Sequence, residues 1–183
     1  MLALVTGGAA SGKSEYAEQL AVRLGSASGG ELLYLAAMIP YGEEAEQRIQ
    51  RHRAARKEKG FSTIERYLGL KDCRIPEGAV MLLECMSNLL ANEMYESGGA
   101  GKNAVEEILS GVDAALCRAA HLVIVTNTVD ADGAEYGASA LDYLKKLAVL
   151  NRRLAEKADF AAELVCAFPL IFKGAEPKEG KTP

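Results

Sequence analysis

Gly7, Gly8, Ala9, Ala10, Ser11, Gly12, Lys13 and Ser14 fit the spacing G-x-x-x-x-G-K-[ST], between an apolar run and a helical pattern. Glycines at this spacing let successive amide N–H groups converge on phosphate oxygens. The amino end of the following helix adds partial positive charge. Lys13 is placed to bridge the terminal phosphates, and the Ser14 hydroxyl to bind Mg²⁺. The stretch is therefore read as a nucleotide phosphate loop. The chemistry it serves stays open at this point: hydrolysis, transfer or holding.

Two further groups could do chemistry. Glu84 closes the apolar run "VMLLEC". A carboxylate there faces the phosphate loop, where it could orient a magnesium shell or assist the proton of an attacking hydroxyl. Its other reading is an acid answering a helix dipole. In "EEAEQRIQRHRAARKEK", Arg48, His52 and Arg56 are four residues apart, so on a helix they share one stripe. Ala45 and Ile49 lie beside that stripe, which puts His52 near its inward edge. Neighbouring guanidinium groups lower a histidine's pKa and keep a lone pair free to attack. They also hold a triphosphate and the charge that develops on it. Such a histidine could take a nucleotidyl group covalently. Taken alone, the segment also reads as a basic solvated helix with an incidental histidine. His121, which begins "HLVIV", is read as a strand-edge residue.

The elements that must position these groups alternate. Leu2 to Thr6 reads as a buried parallel strand, and Ser14 to Leu24 as a helix stopped by Gly25. "ELLYLAA", "AVMLLEC" and "HLVIVTN" read as strands, and "AELVCAFPLIF" as one or two more. The charged segment closed by Gly60, Asn103 to Ala120, and Ser139 to Ala158 read as helices. "ESGGAGKN" has no strand before it and reads as a linker. The pattern predicts an α/β fold: a mostly parallel, doubly wound sheet with helices on both faces, ligands binding beyond the strands' carboxyl ends. Residues 1–173 are expected to form one nucleotide-binding domain, and the polar 174–183 a disordered tail.

The totals narrow the classes. A chain of 183 residues with 49% hydrophobic content suits a single core. A net charge of −4 argues against a nucleic-acid binder that relies on bulk positive charge. Cys73, Cys85, Cys117 and Cys166 show neither paired nor metal-ligand spacing; Cys85 and Cys166 sit in apolar runs and are expected to be buried free thiols. No signal peptide and no run of roughly 20 apolar residues is visible, so a cytoplasmic protein without a membrane span is expected. A regulatory GTPase would want an N-K-x-D stretch, which is missing.

Together the loop, His52 and Glu84 resemble the bifunctional adenosylcobinamide kinase / adenosylcobinamide-phosphate guanylyltransferase family of cobalamin biosynthesis. "LVTGGAASGKSEYAE", "LLYLAAM", "RIQRHRAAR", "TIE", "MLLEC", "VTN", "LNRRLAEKAD" and "FPLIFK" are similar to its segments, over nearly the whole chain. The resemblance implies a P-loop NTPase-like fold. It implies that Gly7 to Ser14 bind phosphates and that Ala36, Ala37 and Met38 line the nucleotide pocket. His52 would be the guanylylated nucleophile, with Arg53, Ala54, Ala55 and Arg56 beside the nucleotide, and Glu65 and Glu84 acids of the GTP site. ATP or GTP would phosphorylate the cobinamide aminopropanol hydroxyl. GMP would then pass from GTP, through the histidine, to the corrinoid phosphate. A homotrimer acting on nucleotides and a corrinoid, with Mg²⁺ but no nucleic acid, is implied.

The chain departs from the pattern at several positions. Ala10 stands where an arginine is usual, and Thr128 where the late motif carries an acid. Phe61 replaces a tryptophan, and Lys145 and Ala148 replace an aspartate and a glycine. These changes lead to the expectation that corrinoid binding or the kinase half has drifted. The alternatives are a P-loop kinase of another small alcohol with no covalent step, and a non-catalytic GTP-binding sensor.

Overall fold

The structure, a computed structural model, describes residues 1–40, 57–128 and 136–177. The expected segment from Ala45 through His52 to Arg56 lies outside the described residues. So does Val129, the last residue of the late motif.

Short apolar runs form seven strands among the described residues: β1 Leu2–Gly7, β2 Leu32–Ala36, β3 Ser62–Glu65, β4 Val80–Leu83, β5 His121–Val125, β6 Phe160–Val165 and β7 Phe168–Lys173. They pair in the order β3-β2-β4-β5-β1-β6-β7, parallel throughout except for the antiparallel β6–β7 hairpin. The helices described are α1 Lys13–Ser28, α2 Met86–Tyr95, α3 Ala104–Leu116 and α4 Ala138–Lys157. Strand side chains alternate between two cores, as a parallel sheet covered on both faces requires. Leu2, Leu4, Leu33, Leu35, Met81, Leu83, Leu122 and Ile124 pack on the side of α2, α3 and α4. Ala3, Val5, Tyr34, Val80, Leu82, Val123 and Val125 pack with Ala17, Leu20, Ala21 and Leu24 of α1. The doubly wound expectation is met.

Two local expectations are corrected. Gly25 does not stop α1; it lies inside the helix, where a Cβ would come within 2.5 Å of the Leu32 side chain. The stop is Gly29 at φ 70°, whose N–H donates to the Gly25 carbonyl, a left-handed terminus that glycine adopts without Cβ cost. The cysteines are not buried: Cys117 and Cys166 are exposed, and Cys73 and Cys85 are half-buried. Residues 174–177 lie beside α1, with the Glu176 carboxylate accepting from Tyr16 Oη at 2.9 Å and Arg23 Nη2 at 2.7 Å. Residues 178–183 lie outside the described residues.

The family's tryptophan position is structural here. Phe61 is buried and meets the Tyr34 ring edge-on, centroids 6.1 Å apart. His121 also reads as structural: it opens β5, its Nδ1 is buried without a partner among the described residues, and burial lowers its pKa, helped by the N-terminal ammonium.

The β6–β7 turn carries strain. Cys166 and Ala167 form a two-residue connection with φ of 50° and 68°, a left-handed pair that hairpin turns fill with Asn-Gly. Replacing them by Asn-Gly is expected to stabilise the protein by about 1–2 kcal/mol. A higher urea midpoint at unchanged slope would report it.

Candidate active site

The phosphate loop is built by close approach. At Gly7 an added Cβ would stand 2.8 Å from the Leu164 carbonyl oxygen and 2.6 Å from Ser11 Oγ, so no side chain fits at the loop's base. Gly12, at φ 88°, is the residue before α1, and a Cβ there would press on Ala167 at 3.2 Å. Over Gly8, by contrast, the space is open to at least 4 Å. The loop is thus tight beneath and at its exit and open at its mouth, as a phosphate cradle must be. Ala10 takes φ 55° and is exposed, so the one left-handed loop position filled by a non-glycine is the position where the family carries an arginine.

Lys13 folds back over this cradle. Its Nζ donates to the Gly8 carbonyl at 2.9 Å. Burial lowers its pKa from the ordinary lysine value, and its coupling to Cys85 works the other way. A carbonyl is a weaker partner for an ammonium than a phosphate oxygen, so a bound nucleotide displaces it with gain. Ser11 Oγ is buried and has no hydrogen-bond partner among the described residues, a leftover donor that an anion in the loop would satisfy. The start of α1 has no side-chain cap, so its first-turn amides are left to a ligand. Ser14 sits in that turn, exposed.

Glu84 follows β4 and is half-buried. Its N–H donates to the Leu35 carbonyl at 3.3 Å, which extends the β4–β2 pairing by one residue and fixes its position. In the strand order, β5 stands between β4 and β1, which puts Glu84 roughly 10 Å from the loop's strand at the same carboxyl edge. At the end of that intervening strand is a polar cluster that sequence reasoning did not single out. Asn127 Nδ2 donates to Ser87 Oγ at 2.6 Å and approaches Cys85 Sγ at 3.7 Å; Cys85 Sγ and Ser87 Oγ are 3.0 Å apart. Buried Thr126 donates to Asn151 Oδ1 at 2.7 Å, and Asn151 Nδ2 donates back to the Asn127 carbonyl at 3.3 Å. The signal for it was available, since polar residues directly after a buried strand belong to the ligand edge.

The carboxyl ends of β2 and β3 are tied together nearby. Ala36 and Met38 are half-buried and Ala37 is buried. Asn92, buried on α2, donates to the Ala37 carbonyl at 2.8 Å and to the Tyr67 carbonyl at 3.0 Å. Glu93 is buried too, and its carboxylate accepts from Gly69 N–H at 2.7 Å and Ala100 N–H at 3.0 Å. The "ESGGAGKN" linker closes on this carboxylate and forms no phosphate loop. Glu65 ends β3, exposed, with its carboxylate accepting from Tyr67 Oη at 3.3 Å. The structure thus gathers the loop, Glu84, residues 36–38 and Glu65 on one edge of the sheet. His52, Arg53, Ala54, Ala55 and Arg56 lie outside the described residues. No cluster that could hold a metal through His, Cys, Asp and Glu occurs among the described residues.

A strand, a phosphate loop and a helix, with a carboxylate two strands away, define a P-loop nucleotide-binding protein. Its family is shown by comparison with known proteins. A profile of the cobinamide kinase / cobinamide phosphate guanyltransferase family matches residues 3–171, and the chain belongs to that family of transferases. The bifunctional adenosylcobalamin biosynthesis protein CobU of Escherichia coli (strain K12) is 35% identical over 143 residues, covering 70% of this chain and 76% of that one. The protein of the same name from Salmonella typhimurium is 33% identical over 175 residues, covering 87% and 92%. The bifunctional adenosylcobalamin biosynthesis protein CobP of Pseudomonas aeruginosa is 27% identical over 178 residues, covering 93% and 96%. Among solved structures, a KaiC-like protein of Pyrococcus horikoshii matches with a TM-score of 0.53 at 12% identity, covering 96% of this chain and 79% of that one. That likeness is one of fold.

Two outcomes follow from this geometry. Lys13→Ala is expected to weaken GTP binding by about 10- to 150-fold, the worth of a charge-assisted bond, at little cost in stability; calorimetric titration beside a thermal melt separates the two. Asn92→Ala leaves two carbonyls without their donor, so a stability loss of about 1–3 kcal/mol is expected in denaturant unfolding.

Proposed function

We propose that this chain carries out both family reactions at one phosphate loop, with His52 as the covalent relay. The loop supports this reading most directly: Lys13 folds back onto it, its mouth at Gly8 is open, and it is set in a chain that matches the family over residues 3–171. In the first reaction the aminopropanol hydroxyl of cobinamide attacks the γ-phosphorus of ATP or GTP. The bond to the β–γ bridging oxygen breaks, and the hydroxyl proton passes to a base, the role given to Glu84. In the second, a nitrogen of His52 attacks the α-phosphorus of GTP and pyrophosphate leaves. An oxygen of the corrinoid phosphate then attacks the same phosphorus, the P–N bond breaks, and adenosyl-GDP-cobinamide forms.

Lys13 holds the terminal phosphates in both reactions, and the loop amides from Gly8 to Ser14 hold the rest. Arg53 and Arg56 would flank the guanylylated histidine, and Ala54 and Ala55 would let the nucleotide approach it; Ala36, Ala37, Met38 and Glu65 would line the guanosine side. The Ser14 hydroxyl and the Glu84 carboxylate are hard oxygen donors that fit Mg²⁺, which would neutralise phosphate charge when bound. A cytoplasmic site of action belongs to the same proposal; no helix among the described residues is long and apolar enough to cross a membrane. The homotrimer also belongs to it. Phe168 and Phe172 of the edge strand β7 are 75% and 70% exposed, a face suited to a second copy. Phe168→Glu with Phe172→Glu is expected to leave a monomer by light scattering.

The test of the covalent relay uses GTP labelled at the α-phosphate, with Mg²⁺, followed by denaturation. A label stable to base and lost in acid is expected on the native protein and missing from His52→Ala. Guanylyl transfer should then fall on the order of 10⁴-fold, with cobinamide phosphorylation kept. An unlabelled native protein, or a label that persists on His52→Ala, would remove His52 from the mechanism.

A further inference from the structure

The phosphate loop accounts for the nucleotide but offers nothing to a corrinoid. α2 and α4 pack on the sheet face opposite α1, and α2 begins at the carboxyl end of β4. Tyr143 Oη, near the start of α4, donates to the Ser87 carbonyl in the first turn of α2 at 3.2 Å. Tyr95, at the end of α2, meets Ser139, at the start of α4. The two helices therefore run antiparallel. Because α4 leads down to β6, the contact between Tyr95 and Ser139 lies farther from the sheet than the Tyr143 contact.

Between these two contacts is a shallow, open cavity of about 400 Å³ lined by Ala91, Tyr95, Ser139, Ala140 and Tyr143. Its hydroxyls are already engaged. Tyr95 Oη donates to the Ser139 carbonyl at 3.0 Å, Ser139 Oγ donates to Tyr95 Oη at 3.2 Å, and Tyr143 is held by Ser87. What remains for a ligand is carbon: two tyrosine rings and two alanine methyls. Ser87 bonds Asn127 and Cys85, the residues that follow β5 and β4 at the carboxyl edge of the sheet.

We propose that this cavity is the acceptor subsite and seats one apolar edge of the corrin macrocycle of cobinamide, with the aminopropanol arm directed past Ser87 toward Lys13. The inference rests on the cobinamide reading above. The cavity is near the lower end of the roughly 300–1,000 Å³ of small-molecule pockets, so it takes an edge of the macrocycle and leaves the rest over the exposed first turns of α4. Two tyrosine rings with satisfied hydroxyls give a broad carbon surface at low cost in side-chain entropy, suited to a large rigid ring system.

The test compares native protein, Ala140→Trp and Tyr95→Ala in equilibrium titrations with cobinamide, and separately with a non-hydrolysable GTP analogue. Ala140→Trp fills the cavity. Tyr95 is exposed, so Tyr95→Ala keeps the test open if the tryptophan distorts α4. Both variants are expected to bind cobinamide about tenfold or more weakly and the GTP analogue as the native protein does. If the native protein binds cobinamide and both variants bind it equally well, the subsite is wrong while the function stands. A native protein that binds the GTP analogue but no cobinamide overturns the function, and this subsite with it.

Discussion

The phosphate loop depends on a hairpin far from it in sequence. Ala167 N–H donates to the Ser11 carbonyl at 2.9 Å, the Leu164 carbonyl lies under Gly7, and Ala167 lies against Gly12. Three points of the loop are thus held by residues 164–167. The tight turn explains how. Two consecutive left-handed residues bring the β6–β7 connection close enough for its backbone to serve as the floor of the loop. A turn relaxed into a longer loop would withdraw the N–H that bonds Ser11. The strain at Cys166 and Ala167 is then a local cost offset by the rigidity of the binding site. The same hairpin leads into residues 174–177, where Glu176 engages Tyr16 and Arg23 on α1. The first helix is consequently gripped at its loop and again along its length by the end of the chain.

On the other half of the sheet, two buried side chains of α2 do comparable work with opposite chemistry. Asn92 gives two protons to carbonyls, and Glu93 takes two from amides. Neighbouring positions on a helix point in different directions, so one residue joins the ends of β2 and β3 while the next joins residues 69 and 100. Buried polar groups this well satisfied narrow the arrangements open to irregular segments, which lack the ladder bonds that fix strands. The segments that would touch the nucleoside are held this way, and the phosphate end is held by the hairpin. Only the sheet between them is common to both.

Much of this was legible beforehand because its signals are local. A glycine-rich loop between strand and helix needs no distant partner to be recognised, and the alternation of elements already implied a sheet wound on both faces. The misreadings came where tertiary contact decides. Gly25 looked like a stop, yet it exists for Leu32, and the real stop is four residues on. Cys166 sits in an apolar run that bends sharply at that residue, so it emerges to solvent. β3 was not foreseen as a strand, since four residues at a sheet edge, none of them buried, carry no alternation to read. Asn92 and Glu93 were not singled out, because each owes its role to chain remote in sequence, and Asn127 entered only as part of the stretch "VTN". Of the groups that drew attention first, Lys13 and Glu84 lie on the expected edge, and His52 falls outside the described residues.

The departures from the family pattern have a spatial logic. Phe61 is the one in the core, and it keeps an aromatic ring against Tyr34. The others, Ala10, Thr128, Lys145 and Ala148, are exposed. Replacing exposed residues leaves the sheet and its two cores untouched, so the fold does not resist such change. What an exposed residue on this edge can alter is contact with a ligand. Ala10 lies in the loop, Thr128 follows Asn127, and Lys145 and Ala148 are on α4. A nucleotide in a phosphate loop is held mainly by backbone amides and the loop lysine, which leaves Ala10 as the one of these four positions inside the loop. Of the five positions, four are exposed and one is buried, so four could change what a ligand meets without touching either core.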